Sequence, residues 1–244
     1  MKNIFKIHPS FYIYSILLIL SGYINYFIIM VLVFLIHELG HIFSIKLLGY
    51  KINEITIYPC GGIIKTNLKL NSKSLHIFII SISGIIFQVV SLLFIKKYNY
   101  NSEIFYQINY YIILINLLPI YPLDGNKLLL SILETLFSYK FIVKKITYLS
   151  YIFLIILLIY TKNIFIVTIL LYSNILFIKN MEYYYNKFKL ERLLYGPYNY
   201  KNKNIKDINH LYKCKNNIID GKSELEYLKY VEFHWQIATS LLIF

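Results

Sequence analysis

The pattern H-E-x-x-H, at residues 37–41, lies inside an almost unbroken apolar run from Tyr26 to Leu48. Such a run is long enough to cross a bilayer as a single helix. Positions i and i+4 share one face of a helix, so the imidazoles of His37 and His41 can reach the same ion. Glu38 lies beside them, where a carboxylate can act as a general base on a water molecule. The pattern therefore predicts a metal site within a membrane helix.

The alternative for so short a pattern is a chance match, which is common in polar helices of soluble proteins. The apolar surroundings argue against it here, because a charged residue near the centre of a membrane span costs on the order of 2.5–3.5 kcal/mol. A bound cation is a natural partner that offsets this cost.

Composition favours a membrane protein over a soluble domain. Of the 244 residues, 58% are hydrophobic, and the mean hydropathy is +0.56. We therefore expect an all-α polytopic membrane protein with a small β-hairpin at the membrane edge and a short cytoplasmic tail. Its predicted spans are six apolar stretches, at about Phe11–Gly22, Tyr26–Leu48, Leu75–Ile95, Ile104–Leu118, Phe141–Tyr160 and Ile164–Ile178.

The net charge of +13 lies largely between the spans and in the tail. With six spans, most lysines fall on one side of the membrane, and the positive-inside rule then places both termini in the cytoplasm. We expect no nucleic-acid partner, because the charge does not gather on one folded domain. Two domains are expected: a six-span domain over residues 1–180, and a basic tail over 181–244 that forms a truncated or degenerate regulatory module. Residues 231–244 have no assigned role.

Residues 51–64 predict a pair of short strands around a glycine turn, because alternating residues are followed by Pro59-Cys60-Gly61-Gly62. An exposed strand there can pair with an extended substrate through main-chain hydrogen bonds. An ordinary interfacial hairpin is the alternative.

Two prolines, Pro119 and Pro122, close the fourth apolar stretch and must interrupt its helix. Non-helical backbone at membrane depth is tolerated where it is buried in protein or lines a wet cavity. Asp124 follows directly and is the best candidate for a third metal ligand, since a catalytic zinc takes three protein ligands. Its alternative role is to cap the helix that follows.

The two motifs together resemble the site-2 protease family of intramembrane zinc metalloproteases, with closest likeness to its compact sporulation branch. The matching residues are His37-Glu38-Leu39-Gly40-His41 and the stretch Asn116-Leu117-Leu118-Pro119-Ile120-Tyr121-Pro122-Leu123-Asp124-Gly125. The resemblance covers about residues 1–180. It departs from the family at Asn126, where a second glycine is common, and in a tail too short for the nucleotide-binding domain of the sporulation enzyme.

The resemblance implies a zinc metalloendopeptidase with one zinc ion per chain, bound by His37, His41 and Asp124. It further implies that Glu38 activates the water, that Asn116 orients the substrate, and that Pro119 and Pro122 shape the cleft. The implied substrate is a membrane-tethered protein, namely a sporulation sigma factor of the pro-sigma-K type. Inhibitory membrane proteins are the implied regulatory partners.

Two other functions stay open at this point. One is a non-catalytic membrane protein, either a metal transporter or an inactive protease scaffold. A transporter needs further polar residues along a path through several spans, and an inactive protease would have lost Glu38 or a ligand. The other is a zinc protease unrelated to regulated signalling.

Overall fold

The structure is a computed structural model that describes residues 4–58, 61–97, 103–161, 164–197 and 201–229. This part of the chain is mostly helical and includes two small sheets. Its helices are α1 (Pro9–Leu20), α2 (Ile24–Leu47), α3 (Ser74–Lys97), α4 (Glu103–Leu117), α5 (Asp124–Leu133), α6 (Tyr139–Thr161), α7 (Ile164–Lys179) and α8 (Met181–Tyr195). Its strands are β1 (Phe5–Ile7), β2 (Ile52–Tyr58), β3 (Gly61–Thr66), β4 (Asn202–Asn204), β5 (Asn216–Ile219) and β6 (Lys222–Ser223).

Three of the six predicted spans are helices long and apolar enough to cross a membrane. They are α2, α3 and the Tyr139–Tyr160 part of α6. The other three are helical but shorter: α1 has 12 residues, α4 has 15 and α7 has 16. At about 1.5 Å per residue they fall short of a hydrocarbon core of about 30 Å. The membrane character is thus supported, while six passes stay a prediction.

The hairpin predicted at residues 51–64 is present. Strands β2 and β3 pair antiparallel, with Ile57 opposite Gly62, and Pro59 and Cys60 of its turn lie outside the described residues. A further strand, β1, was not predicted from the sequence; it pairs parallel to β2, with Phe5 opposite Ile55. A three-residue strand is too short for its alternation to be recognised. The strand order β1-β2-β3 leaves β3 at one edge of the sheet.

The chain packs into two compact units. The first unit contains Met1–Leu68, Phe78–Leu118 and Leu123–Gly125, and the second contains Lys69–Ile77, Pro119–Pro122 and Asn126–Phe244. In the first unit, Val33 of α2 packs with Phe105 and Ile112 of α4. Gly40 lies against α3, where an added Cβ would overlap the carbonyl group of Ser83. The glycine therefore permits the close approach of α2 and α3.

In the second unit, α6 and α8 share a hydrophobic core. Tyr139 and Val143 of α6 pack with Tyr185 and Phe188 of α8 and with Leu211. Residues 181–244 were predicted to be a basic tail, yet the side chains of Phe188 and Leu211 are fully buried. Part of the tail is therefore folded, and its core is shared with α6. The predicted domain boundary near residue 180 corresponds to the junction of α7 and α8 and stays a prediction.

The same unit buries charged side chains in ion pairs. Arg192 of α8 pairs with Glu224, and the Lys213 ammonium lies 2.8 Å from a carboxylate oxygen of Glu134. The Arg192 guanidinium also donates to the carbonyl groups of Lys213 and Lys215 at 2.7 Å each. These contacts tie α8 to the strands that follow it. The strands β5 and β6 pair antiparallel as a short hairpin, with Ile219 opposite Lys222.

Between α4 and α5 the chain is not helical, as the two prolines predict. α4 ends at Leu117, and the Tyr121–Pro122 peptide bond is cis. Within the second unit, the Pro119 carbonyl accepts a hydrogen bond from Ser150 at 2.7 Å, and the Tyr121 carbonyl accepts one from Asn174 at 2.8 Å. Side chains thus satisfy carbonyl groups that the broken helix releases.

Candidate metal centre

His37 and His41 lie on one face of α2 because they are four residues apart. Their rings meet edge to face, with centroids 4.7 Å apart. Both side chains are buried, with 4% and 8% of their surface exposed. The helix alone thus brings two imidazoles together, as the H-E-x-x-H pattern predicts.

Asp124 joins this pair from a distant part of the chain. It is the first residue of α5, and it is 6% exposed. Its Oδ2 atom lies 3.0 Å from Nε2 of His37 and 3.0 Å from Nε2 of His41. The two Nε2 atoms are also 3.0 Å apart. The carboxylate therefore faces the histidines, whether or not Asp124 also caps its helix.

The second nitrogen of each ring is held by α3. Nδ1 of His41 lies 2.7 Å from the carbonyl oxygen of Ile80, which can only accept, so this nitrogen carries the proton. Nδ1 of His37 lies 2.9 Å from Oε1 of Gln88 and donates to it. In a neutral imidazole the other nitrogen is then a lone-pair acceptor. Both Nε2 atoms therefore present lone pairs towards Asp124.

This donor set fits a zinc ion. With both imidazoles neutral, the three facing acceptor atoms repel unless a cation lies among them. Their separation of 3.0 Å is close to the roughly 3.3 Å expected between donors that share a tetrahedral ion at about 2.0 Å. Two imidazoles with one carboxylate are a ligand set of catalytic zinc sites that keep one position open. His37, His41 and Asp124 together can thus hold a metal ion.

Small residues on α3 make room for the two rings. A Cβ added to Gly84 would lie 2.6 Å from Cε1 of His37 and 2.7 Å from Nε2 of His41. One turn away, the hydroxyl groups of Ser83 and Ser44 are 2.9 Å apart. The imidazoles thus occupy the space that a side chain at position 84 would need.

Glu38 is half-buried and contacts the hairpin. Its Oε1 atom accepts a hydrogen bond from the backbone N–H of Gly62 at 2.9 Å. A Cβ at Gly62 would lie 3.1 Å from the other carboxylate oxygen, so a glycine at this position lets β3 approach the carboxylate. A strand predicted at the membrane edge therefore lies directly beside the residue predicted to be the general base.

The remaining predicted site residues lie around the break between α4 and α5. Asn116 is on the last turn of α4, and its amide donates to the carbonyl oxygen of Ile112 at 3.1 Å. Pro119 and Pro122 lie in the non-helical segment of the second unit. The structure gives their positions, and their roles towards a substrate stay predictions.

Two fully buried amide side chains in the apolar helices of the first unit were not predicted from the sequence. Gln88 of α3 and Asn109 of α4 are fully buried, and Asn109 donates to the hydroxyl group of Ser91 at 3.1 Å. A glutamine inside an apolar run is costly, and this cost was a signal that could have identified Gln88.

Two curated proteins resemble the chain in sequence, whereas no protein-family model matches it. Stage IV sporulation protein FB of Bacillus subtilis is 29% identical over 132 residues, which cover 50% of this chain and 45% of that protein. A zinc metalloprotease of Methanocaldococcus jannaschii is 27% identical over 149 residues, which cover 55% of this chain and 44% of that protein. The chain thus matches less than half the length of each relative.

A solved structure supports the fold. The site-2 protease from Methanocaldococcus jannaschii aligns with a TM-score of 0.51 at 22% identity, over 70% of this chain and 87% of that one. The match to a sporulation protein also agrees with the branch that the motifs resemble. The chain is thus similar in sequence to a sporulation protein and to a zinc metalloprotease, and similar in fold to a site-2 protease.

Proposed function

We propose that this protein is an intramembrane zinc metalloprotease that hydrolyses a peptide bond of a membrane-associated protein at or within the bilayer. The observation that carries the proposal is the meeting of His37, His41 and Asp124 at 3.0 Å, with Glu38 on the same helix turn. The homologues named above support the same activity.

In this proposal, His37, His41 and Asp124 bind a single zinc ion. Zinc, when bound, polarises the scissile carbonyl group and lowers the pKa of a water molecule to about 7. Glu38 removes a proton from the attacking water and later passes it to the leaving amine. The contact from the Gly62 N–H leaves Oε2 of Glu38 for this proton, because the hydrogen bond occupies Oε1.

Asn116, Pro119 and Pro122 are proposed to orient the substrate. A transmembrane helix hides its peptide bonds in its own hydrogen bonds, so a substrate must present an extended segment to be cut. The edge strand β3 supports this, since it lies beside Glu38 and can pair with an extended chain. Asn116 is suited to bind the substrate backbone when its amide leaves the carbonyl of Ile112.

The substrate class follows from the resemblance to the sporulation branch. We propose a membrane-tethered sporulation sigma factor of the pro-sigma-K type as substrate, with inhibitory membrane proteins as partners. The protein is proposed to cross the membrane several times with both termini in the cytoplasm. Residues 1–180 are proposed to form the protease domain and residues 181–244 a regulatory tail, of which residues 230–244 lie outside the described part.

Co-expression with membrane-tethered candidate substrates tests the activity. The wild type is compared with Glu38→Gln, and zinc content is measured on both purified proteins. We expect the substitution to lower cleavage on the order of 10²–10⁴-fold, because it removes the general base. Zinc should be retained, because Glu38 is not among the three ligands.

Glu103→Gln is the matched control, since it removes an exposed carboxylate from α4 of the same unit. It should cleave like the wild type. Undiminished cleavage by Glu38→Gln would contradict the proposed mechanism, and a wild type that binds no zinc would contradict the metal site.

A further inference from the structure

We propose that Gln88 is a positioning residue that holds the His37 ring in the orientation and tautomer that metal binding requires. This inference rests on the proposed function, because it concerns the same metal. Gln88 lies on α3, and its side chain is fully buried. Its Oε1 atom lies 2.9 Å from Nδ1 of His37, on the side of the ring opposite the metal-facing nitrogen.

The direction of this hydrogen bond decides which nitrogen of His37 can bind a metal. With Oε1 towards the ring, Nδ1 keeps its proton and Nε2 keeps its lone pair. With the amide reversed, the NH₂ group would donate to Nδ1 and force the proton onto Nε2. A protonated Nε2 cannot be a ligand. An acceptor at position 88 is therefore compatible with a metal site, and a donor is not.

The NH₂ group of the Gln88 side chain shows that this arrangement has a cost in folding free energy. Its Nε2 atom is buried and has no hydrogen-bond partner within the part of the chain that the structure describes. Leaving a buried donor unsatisfied is unfavourable. An apolar residue would avoid this cost in an apolar helix. The contact with His37 is thus the feature of this site that accounts for an amide at position 88.

The two histidines differ in how they are held. His41 donates to the backbone carbonyl of Ile80, which no substitution at position 80 removes. His37 depends on a side chain. Substitution of a side chain on α3 can therefore test how His37 is oriented, but not how His41 is. Hydrogen-bond partners of metal-binding histidines typically contribute 10–100-fold to metal affinity.

Zinc affinity of the purified full-length chain, measured in detergent by competition with a chelator, tests the proposal. Gln88→Met keeps a similar length but removes the acceptor, and we expect zinc binding about 10–100-fold weaker than in the wild type. Gln88→Glu restores an acceptor and should retain the affinity of the wild type, as in carboxylate–histidine–zinc arrangements. Ser91→Ala is the control, since it alters a polar residue one turn away that contacts Asn109.

The visible spectrum of the Co²⁺-loaded protein is the second measurement, because it reports ligand geometry without turnover. The spectrum should change in Gln88→Met and match the wild type in Gln88→Glu and Ser91→Ala. Wild-type affinity in Gln88→Met would overturn the inference while leaving the proposed function intact. Equal loss in Gln88→Met and Gln88→Glu would also overturn it, because packing alone would then explain the effect. A wild type that binds no zinc would remove both proposals.

Discussion

Buried ionisable groups are handled differently in the two units. In the second unit, Arg192 is paired with Glu224, so a carboxylate of this chain balances the charge. In the first unit, His37, His41 and Asp124 turn acceptor atoms towards one another. In the first arrangement two side chains of opposite charge pair with each other, whereas the second can hold a metal ion. A buried ion pair between side chains thus indicates a role in stability, whereas hydrogen-bond acceptor atoms that face one another indicate a candidate metal site.

The largest expected effect comes from replacing one of the three candidate metal ligands. Asp124→Asn replaces a charged ligand by a neutral one and should weaken zinc binding by more than the roughly 100-fold that loss of a supporting partner costs. Cleavage should disappear with the zinc. Chelator competition and a cleavage assay measure these two effects.

Asp220→Asn is the matched control, because Asp220 lies in an exposed turn. It should bind zinc and cleave normally. If Asp124→Asn binds zinc like the wild type, the comparison between the two units fails, because the carboxylate is then not a ligand.

The second-largest expected effect concerns the buried ion pair between Arg192 and Glu224. Arg192→Met leaves the buried Glu224 without its partner and should destabilise the second unit by about 3–5 kcal/mol. The double variant Arg192→Met/Glu224→Leu removes both charges and should recover part of this loss. Hydrogen exchange of the β5 amides and urea unfolding measure the change.

If the ion pair between Arg192 and Glu224 contributes to stability, the single variant should be less stable than the double variant. A single variant as stable as the wild type would show that the pair contributes nothing. A double variant no better than the single one would show that packing or the bonds to the Lys213 and Lys215 carbonyls dominate.

The smallest expected effect concerns a partly exposed group of three charges, Lys6, Lys65 and Glu54. Lys6 and then Lys65 donate to Glu54 and lower its pKa from 4.5 to about 2. A lowered pKa stabilises the folded state above the unfolded-state value, so the contribution is lost as pH falls from about 4.5 towards 2. Protection of the β1 amides, corrected for intrinsic exchange, should decline over this range.

Glu54→Gln should abolish that pH dependence without altering zinc binding. Solvent screens such a pair, so its effect should be smaller than that of the buried pair. An unchanged pH profile in Glu54→Gln would show that another group is responsible.

Several local features could be predicted because nearby residues encode them. The helix that carries His37 and His41 follows from an apolar run, and the interruption near Pro119 follows from proline chemistry. The hairpin at residues 51–64 follows from alternation around a glycine turn. Asp124 was predicted as a third ligand from its place after the interrupted helix, and the family resemblance implied the same role. The roles of Asn116, Pro119 and Pro122 towards a substrate stay predictions.

Other features could not be predicted, for identifiable reasons. Strand β1 is three residues long and pairs with a strand some fifty positions away, as the register of Phe5 and Ile55 shows. The core around Phe188 and Leu211 was hidden by the many lysines and asparagines between those residues. Three of the six predicted spans are helices of 12, 15 and 16 residues, and hydropathy did not reveal where these helices begin and end.

The sequence by itself determined the pair of imidazoles, because a spacing of four residues on a helix is a local property. Only the tertiary structure decided that Asp124 reaches both rings from 83 positions beyond His41. It also decided that Gln88 and the Ile80 carbonyl hold the opposite nitrogens and that Gly62 contacts Glu38. Helical periodicity reports which residues share a face, but long-range packing determines which faces meet.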